Sequence, residues 1–486
     1  MPAFPFVGAS YTARSVNFDA QECLNLYPEV SGSGNSKSVA MLIGTPGADV
    51  VGSLGGLPVE TVRGLYRFDD NTLLALFGQT LVIFDANFTP NASAVAISST
   101  NDFCSFADNG SIIMLVTGDY GYFITPSGLV TQISDPDFLG GDRVDFLAGR
   151  FVWNKPGTGQ FQYTEVLGTD VDALNFQTAE ASPDPIVSQI VGFGELWEFG
   201  VNSTEVFQPS GDADIPFAKV QGAAMEIGCL ARDSVAKIDS SFLWLGRSDE
   251  GTGIVWRAVN YQPQRISTHA LEFAIASYGD VTDAVAFTYQ QEGHSFYVLS
   301  FPSADKTWAY DVSTNLWHER AYMDPADGSL HRIQYSTQAN FAGRTVVGMN
   351  EQNTLLALDL DTYTDYGGQA ILRRRACQHL SADLKRQMFK SLQIDMETGV
   401  GYNVSEAVDL ATELGNPKAR LDWSDDGGHT WSNQHEAPMG RVGKYRTRCI
   451  WRRLGQSRDR VFRVSITAPV KVCIIGARAD VDVGLS

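Results

Sequence analysis

The chain has 486 residues, a formal net charge of −20, and a composition that is 44% hydrophobic, 19% charged and 11% aromatic. That is enough apolar material to bury one large core or several, and no stretch approaches the roughly 20 apolar residues of a membrane span. A mixture rich in Gly and aromatics but poor in charge suits many short strands joined by tight turns better than long helices. The opening MPAFPFVGAS has neither a basic n-region nor a sustained apolar h-region, so it does not read as a secretory signal. Cys23, Cys104, Cys229, Cys377, Cys449 and Cys473 are scattered with no C-x-x-C spacing. They read as reduced thiols of a protein made in cytoplasm.

Residues 1–60 read as an N-terminal arm. QECLNLYPEVSGSGNSKS is polar and turn-rich, and VAMLIGTPGADVVGSLGGL is a strand followed by Gly/Pro punctuation. The arm is expected to lie across the next module or to reach towards the last one. From residue 61 to 369 one pattern keeps returning: an apolar strand, a short polar turn, and a second alternating strand. NTLLALFGQTLVIFDA, GSIIMLVTGDYGYFITP, AGRFVWNKPGTGQFQYTEV and GELWEFGVNSTEVFQPS are the first four members. SSFLWLGRSDEGTGIVWRAVN, GHSFYVLSFPSADKTWAYDVSTNLW and GRTVVGMNEQNTLLALDLD follow. A period of roughly 35–45 residues is that of a four-stranded propeller blade, and one blade cannot cover both faces of its own sheet, so blades stack radially. The prediction is a propeller of about seven blades. Residues 370–486 change character and end in the strand-like VFRVSIT and VKVCIIGARADV, which predicts a β-sandwich-like domain. Its first part, QAILRRRACQHLSADLKRQMFKSLQIDMETG, reads equally as a short helix or a strand. The fold class is therefore all-β.

Charge divides the same way. Residues 1–369 hold 17 Lys and Arg against 43 Asp and Glu, a net −26, whereas residues 370–486 hold 19 against 13, a net +6. Opposite electrostatic character points to modules with different partners. The densest basic run, RVGKYRTRCIWRRLGQSRDRVFR, carries Arg441, Lys444, Arg446, Arg448, Arg452, Arg453, Arg458, Arg460 and Arg463 among Tyr445, Trp451 and Phe462. Arg373, Arg374 and Arg375 form a second group. Such residues contact nucleic acid, dock an acidic protein, or solvate a sandwich face. A protein interface is the reading adopted here for Arg373, Arg374, Arg375, Arg441, Lys444, Arg446, Arg448, Arg452 and Arg453.

WSDDGGHTW at 423–431 has the spacing of an Asp-box, Ser424-x-Asp426-x-Gly428-x-x-Trp431. Asp426 would accept turn N–H bonds, Gly428 permits positive φ, and Trp431 packs beneath, which makes the motif a folding device. A sialidase would add an arginine cluster, a tyrosine nucleophile and a carboxylate partner in the propeller mouth, but this box is single and lies outside the repeats. GSGNSKS at 32–38 has Ser36 where a phosphate loop needs Gly before Lys37. The seven histidines have no zinc-site spacing, and there is no G-x-S-x-G elbow. Asp69-Asp70 and Asp359-x-Asp361 solvate turns or, less expectedly, hold calcium. No catalytic, cofactor-binding or metal-binding residue is assigned, and no cofactor is expected.

Three stretches together resemble the packaged-DNA stabilisation proteins, or tail accessory (nozzle) proteins, of short-tailed bacteriophages. They are ECLNLYPE followed by LIGTPG (22–47), SSFLWLGRSDEGTGIVWRAVNYQPQRISTHALE (240–272), and WSDDGGHTWSNQ through RCIWRRLGQSRDRVFRVSITAPV (423–470). The resemblance spans nearly the whole chain and implies a non-enzymatic virion protein of the tail, assembled in the bacterial cytoplasm. It further implies a homo-hexameric ring below the portal and its adaptor ring, which extends the channel for double-stranded DNA. That ring would help retain packaged DNA and meet a tail needle or plug and tailspikes or tail fibres, with no membrane binding by the chain itself. Two alternatives stand beside it: a carbohydrate-binding or sialidase-like propeller, and a monomeric scaffold propeller for host proteins.

Overall fold

The computed structural model describes residues 3–55, 58–90, 94–180, 182–212, 214–248, 251–401 and 415–484. Seven antiparallel sheets follow one another as blades. The first consists of Val62–Arg67, Leu73–Phe77, Thr80–Phe84 and Val95–Ala96; the sixth of Val285–Gln291, His294–Phe301, Lys306–Asp311 and Leu316–Arg320. The middle strands are apolar on both faces: every residue of Leu73–Phe77, Ile113–Thr117 and Arg150–Asn154 is buried. Period-two alternation disappears there because neighbouring blades cover each sheet on both sides. Four blades open on the same two-residue hairpin, with both central residues at positive φ: Ala148-Gly149, Phe193-Gly194, Glu292-Gly293 and Ala342-Gly343. This is the turn whose twist matches the flanking strands, and the second position is glycine each time.

The seventh blade is completed from the other end of the chain. Tyr335–Phe341, Arg344–Met349 and Thr354–Asp359 take Gly47–Ser53 as their fourth strand, in a register running from Thr354 opposite Ser53 to Asp359 opposite Gly47. Ring closure then buries Val62, Leu73 and Phe77 of the first blade against Phe341, Val346 and Leu355 of the seventh.

Two sheets face each other beyond the propeller. One runs Leu26–Val30, Ala40–Gly44, Cys473–Val483, Gln387–Met396, Cys449–Arg452; the other runs Ala20–Leu24, Arg373–Ala376, Asp459–Ile466, Lys418–Ser424, His435–Pro438. Phe6, Cys23 and Leu26 pack between them with Phe389, Leu392, Trp451 and Phe462. The N-terminal segment expected as a separate arm thus supplies strands to both sandwich sheets and to the last blade. GSGNSKS lies in the hairpin loop between two of these strands, where Lys37 binds Asp395 at 2.6 Å. Residues 373–376 and 387–396, read as helix or strand, are strands. The described α-helix is His269–Ala276, capped by the Thr268 side chain, which accepts from Leu271 N; no described helix is long and apolar enough to cross a membrane.

The modules are welded. Leu24 pairs in parallel with Glu319, so the sheet of the sixth blade continues into the sandwich. Ser10 Oγ donates to Glu319 Oε1 at 2.6 Å, and Asn25 Nδ2 donates to the Ala321 and Leu372 carbonyls. All six cysteines are free, and five are buried. Burial pushes the Cys23, Cys104, Cys229 and Cys449 thiols up to about 12, so they are poor nucleophiles at neutral pH.

Candidate functional site

The basic residues of the C-terminal module separate into two populations. Arg373, Arg374 and Arg375, expected at an interface, instead hold the N-terminal segment. Arg375 is 1% exposed and donates from Nε to the Phe6 carbonyl (2.7 Å), from Nη1 to that of Ala9 (2.8 Å) and from Nη2 to Gln21 Oε1 (2.5 Å). Arg374 grips Glu22 through Nε and Nη2 at 3.0 and 2.6 Å, and Arg373 is 2% exposed. The correction has a simple physical reason. The strand carrying them lies between Ala20–Leu24 and Asp459–Ile466; Arg374 and Arg375 there spend their donors on nearby carbonyls, amide oxygens and carboxylates, while Arg373 reaches only the Thr45 carbonyl.

Arg460 and Arg463 also turn inward. Arg460 is buried, forms two bonds to Asp425 (2.6 and 2.7 Å), donates to the Leu454 carbonyl at 2.5 Å, and lies within 4.6–5.6 Å of the Phe389, Trp423 and Phe462 rings. Arg463 forks onto Asp422 at 3.0 and 2.7 Å and sits 3.7 Å above Trp431.

The remaining basic residues face out. Arg441, Lys444, Arg446, Arg448, Arg452, Arg453 and Arg458 are exposed, beside exposed Tyr445 and Val442. Cys449–Arg452 is the last strand of its sheet, paired on one side with Gln387–Met396. Arg448 donates to Gln393 Oε1 and Arg458 to the Leu384 carbonyl. Among the described residues, Arg441, Lys444, Arg446, Arg452 and Arg453 have no ion-pair partner. Arg453 has φ of 61° and its N–H donates to the Lys390 carbonyl, which turns the chain at the end of the strand. A row of unpartnered cations beside a sheet edge can bind carboxylates or phosphates from another molecule.

The Asp-box is a hairpin turn between Lys418–Ser424 and His435–Pro438. Asp426 accepts from Ser424 Oγ at 2.7 Å, from Thr430 N at 2.9 Å and from Thr430 Oγ1 at 2.6 Å, while Ser424 Oγ accepts from Gly428 N at 2.7 Å. The Thr430 hydroxyl and N–H, then the Ser424 hydroxyl, hold the Asp426 carboxyl well below the usual range. Gly427 and Gly428 have φ of 79° and 103°. A Cβ on Gly427 would collide with Asn17, so the box is also a seat for the N-terminal segment. Trp431 is half-buried under Arg463. Asp426→Ala is expected to lower the melting temperature at neutral pH. Because this carboxyl is depressed in the folded chain, its stabilisation is present above the ordinary carboxylate pKa and lost as pH falls through its folded value. The gap between variant and parent in thermal melts should therefore narrow in acid; a gap constant with pH would exclude this role.

The propeller mouth holds a polar cavity of about 700 Å3, to which six of the seven blades contribute. Arg63, Arg232, Arg332, Asp102, Asp233 and Asp283 line it. Arg232 bridges Asp233 (2.8 Å) and Asp142 (3.3 Å), and Arg63 donates to the Gly78 and Asp102 carbonyls at 2.8 Å. The reading that arginines concentrate in the second module missed these, because each comes singly from a different blade. No tyrosine is among the described lining residues, so the sialidase constellation is not assembled there. Among the described residues no group of three or more His, Cys, Asp or Glu is placed to hold a metal ion. Asp69 and Asp359 cap the Asn71 and Asp361 amides.

Between the third and fourth blades Glu198 is 1% exposed, with neither carboxyl oxygen hydrogen-bonded. Burial first, then the Asp145 and Glu205 carboxylates, push it well above its ordinary value. Such a group stabilises only below the unfolded carboxylate pKa and costs progressively more as pH rises towards its folded value. Glu198→Met should therefore gain about 1–3 kcal/mol at mildly alkaline pH, with the gain shrinking towards pH 4. Equilibrium unfolding across pH tests this, and a gain independent of pH would refute it.

Comparison with known families now applies to the whole architecture. Residues 3–363 match the family described as Bacteriophage P22 Gp10, beta-propeller, and residues 373–482 match Bacteriophage P22 Gp10, beta-sandwich. The fold is thus that of a phage stabilisation protein, a virion component. The chain belongs to the bacteriophage P22 Gp10 stabilisation family. No curated protein matches it. Solved structures it is similar to include the computationally designed Ika8 protein, at 13% identity and TM-score 0.38, covering 70% of this chain and 100% of that one. Another is BBS1N in complex with ARL6DN, at 8% and 0.41, covering 67% and 98%. A third is the extracellular domain of the putative hybrid two component system BT4673 from B. thetaiotaomicron, at 10% and 0.43, covering 73% and 45%.

Proposed function

We propose that this chain assembles as a homo-hexameric ring beneath the portal and its adaptor ring, where it extends the DNA channel and retains packaged DNA without catalysing a reaction. The observation that carries this reading is the exposed basic strip from Arg441 to Arg453 on a sandwich edge, in a chain whose residues 1–369 carry a net −26. Duplex DNA must slide through a channel without sticking. Lys and Arg contacts to phosphate would hold it through counterion release, so the acidic module suits the lumen or the outer wall. The basic strip suits protein docking, with Arg452 and Arg453 binding carboxylates of a neighbouring copy or of the adaptor. A tail needle or plug and the tailspikes or fibres would join the same ring. Mass photometry of the purified chain, alone and with its adaptor ring, tests this. A species six times 53.0 kDa above the adaptor mass is expected, whereas a monomer under both conditions would reject the ring.

A further inference from the structure

A separate cavity of about 250 Å3 lies where propeller and sandwich meet. Tyr363, Glu292 and Asp361 line it from the propeller side; Arg373, Lys471 and Glu29 line it from the other. Arg373 is 2% exposed, and only its Nη2 has a hydrogen bond, a long one of 3.4 Å to the Thr45 carbonyl. Nε and Nη1 have no partner, and no described carboxylate forms an ion pair with this arginine. Burial lowers it to about 10, which leaves it charged at neutral pH. Gly44 makes room for it, since a Cβ there would stand 2.5 Å from Nε.

The rest of the lining favours an anion at the deep end. Among the described residues the Tyr363 hydroxyl has no hydrogen bond, and burial raises its pKa, so it remains a neutral donor. Lys471 reaches in from the rim, where Glu397 holds it at 3.1 Å. Glu292 and Asp361 are exposed and Glu29 is half-buried, so the carboxylates stay at the hydrated outer end. A buried guanidinium with two unmet N–H directions is strongly unfavourable until a counter-charge arrives, and a guanidinium N–H makes a strong charge-assisted bond to an oxyanion. The space equals about eight waters, ample for one such ion.

We propose that this cavity binds a small oxyanion, held by an unmet Arg373 N–H and the Tyr363 hydroxyl, and that the bound ion braces the propeller against the sandwich. This stands independently of ring formation. Thermal melts of the full chain in rising inorganic phosphate, acetate or chloride at matched ionic strength test it, the first two separating a tetrahedral from a carboxylate ligand. Expected is a saturable rise of about 2–4 °C in phosphate or acetate, absent in chloride. Tyr363→Phe should shift the midpoint concentration roughly tenfold or more upward, by loss of one hydrogen bond to a charged group. Arg373→Lys, which keeps the charge but not the fixed donor directions of the guanidinium, should abolish the saturable phase, and Arg344→Ala, at an exposed position, should respond like the parent. Equal rises in all three salts, no rise in any, or an undiminished response in both Tyr363→Phe and Arg373→Lys would overturn the proposal.

Discussion

Arg460→Ala is expected to lose about 2–4 kcal/mol of stability, from the cavity it leaves among buried rings and the unmet Leu454 carbonyl rather than from the exposed Asp425 carboxylate. The guanidinium is 2% exposed and does three jobs at once: it pairs twice with Asp425, satisfies the Leu454 carbonyl, and fills the space beside Phe389, Trp423 and Phe462. Alanine leaves the carbonyl without its donor and a cavity among three rings. Arg460→Lys should recover only part of the loss, because one ammonium cannot match the fork. Denaturant titration measures both; a loss below 1 kcal/mol for Arg460→Ala would show that the cluster relaxes around the gap.

The second large effect concerns assembly. Reversing Arg452 and Arg453 to Glu should abolish incorporation into tails while leaving the isolated chain folded, so that particles fill with DNA and leak it. Both side chains are exposed and have no ion-pair partner among the described residues, and surface changes of this kind alter stability by about 0.5 kcal/mol or less. Arg453 already has a positive φ, and glutamate also carries a Cβ, so the backbone cost is unchanged. Circular dichroism, thermal melts and particle composition measure the three parts. If the double variant assembles normally but loses affinity for free DNA, the strip is a nucleic-acid site and the docking assignment fails.

The propeller and the sandwich were legible in the sequence because each unit repeats the same alternation of apolar strand and polar turn. The X-Gly pairs that open four blades were an additional signal, visible once Ala148-Gly149 and Glu292-Gly293 are set side by side. What the sequence hid was long-range. Gly47–Ser53 lies in the stretch read as Gly/Pro punctuation after a strand; its partner Thr354–Asp359 is roughly 300 residues away, and nothing local names it. The fate of the arginines was hidden for the same reason: exposure depends on which strand lies alongside. Asp422 stands directly opposite Arg463 in the sheet, so the opposite charges of LDWSDD and RDRVFR held a cross-strand clue. Arg375 gave none, since its acceptors are backbone carbonyls and the neutral Gln21 side chain, more than 350 residues away in sequence.

The strand that closes the propeller sets a timetable for synthesis. Gly47–Ser53 leaves the ribosome early, yet Thr354–Asp359 follows only after roughly 300 more residues, about 15–60 s at bacterial translation speeds. Until then the nascent ring is open, with an unpaired sheet edge at its seventh blade. Ala20–Leu24 waits longer still for Arg373–Ala376, and Ala3–Phe4 must wait for Cys473–Val483, the last strand of all. A chain released prematurely anywhere before residue 473 therefore leaves its own beginning without a partner. Such fragments would expose β-edges to one another, so truncated products are the ones that should aggregate in the cell.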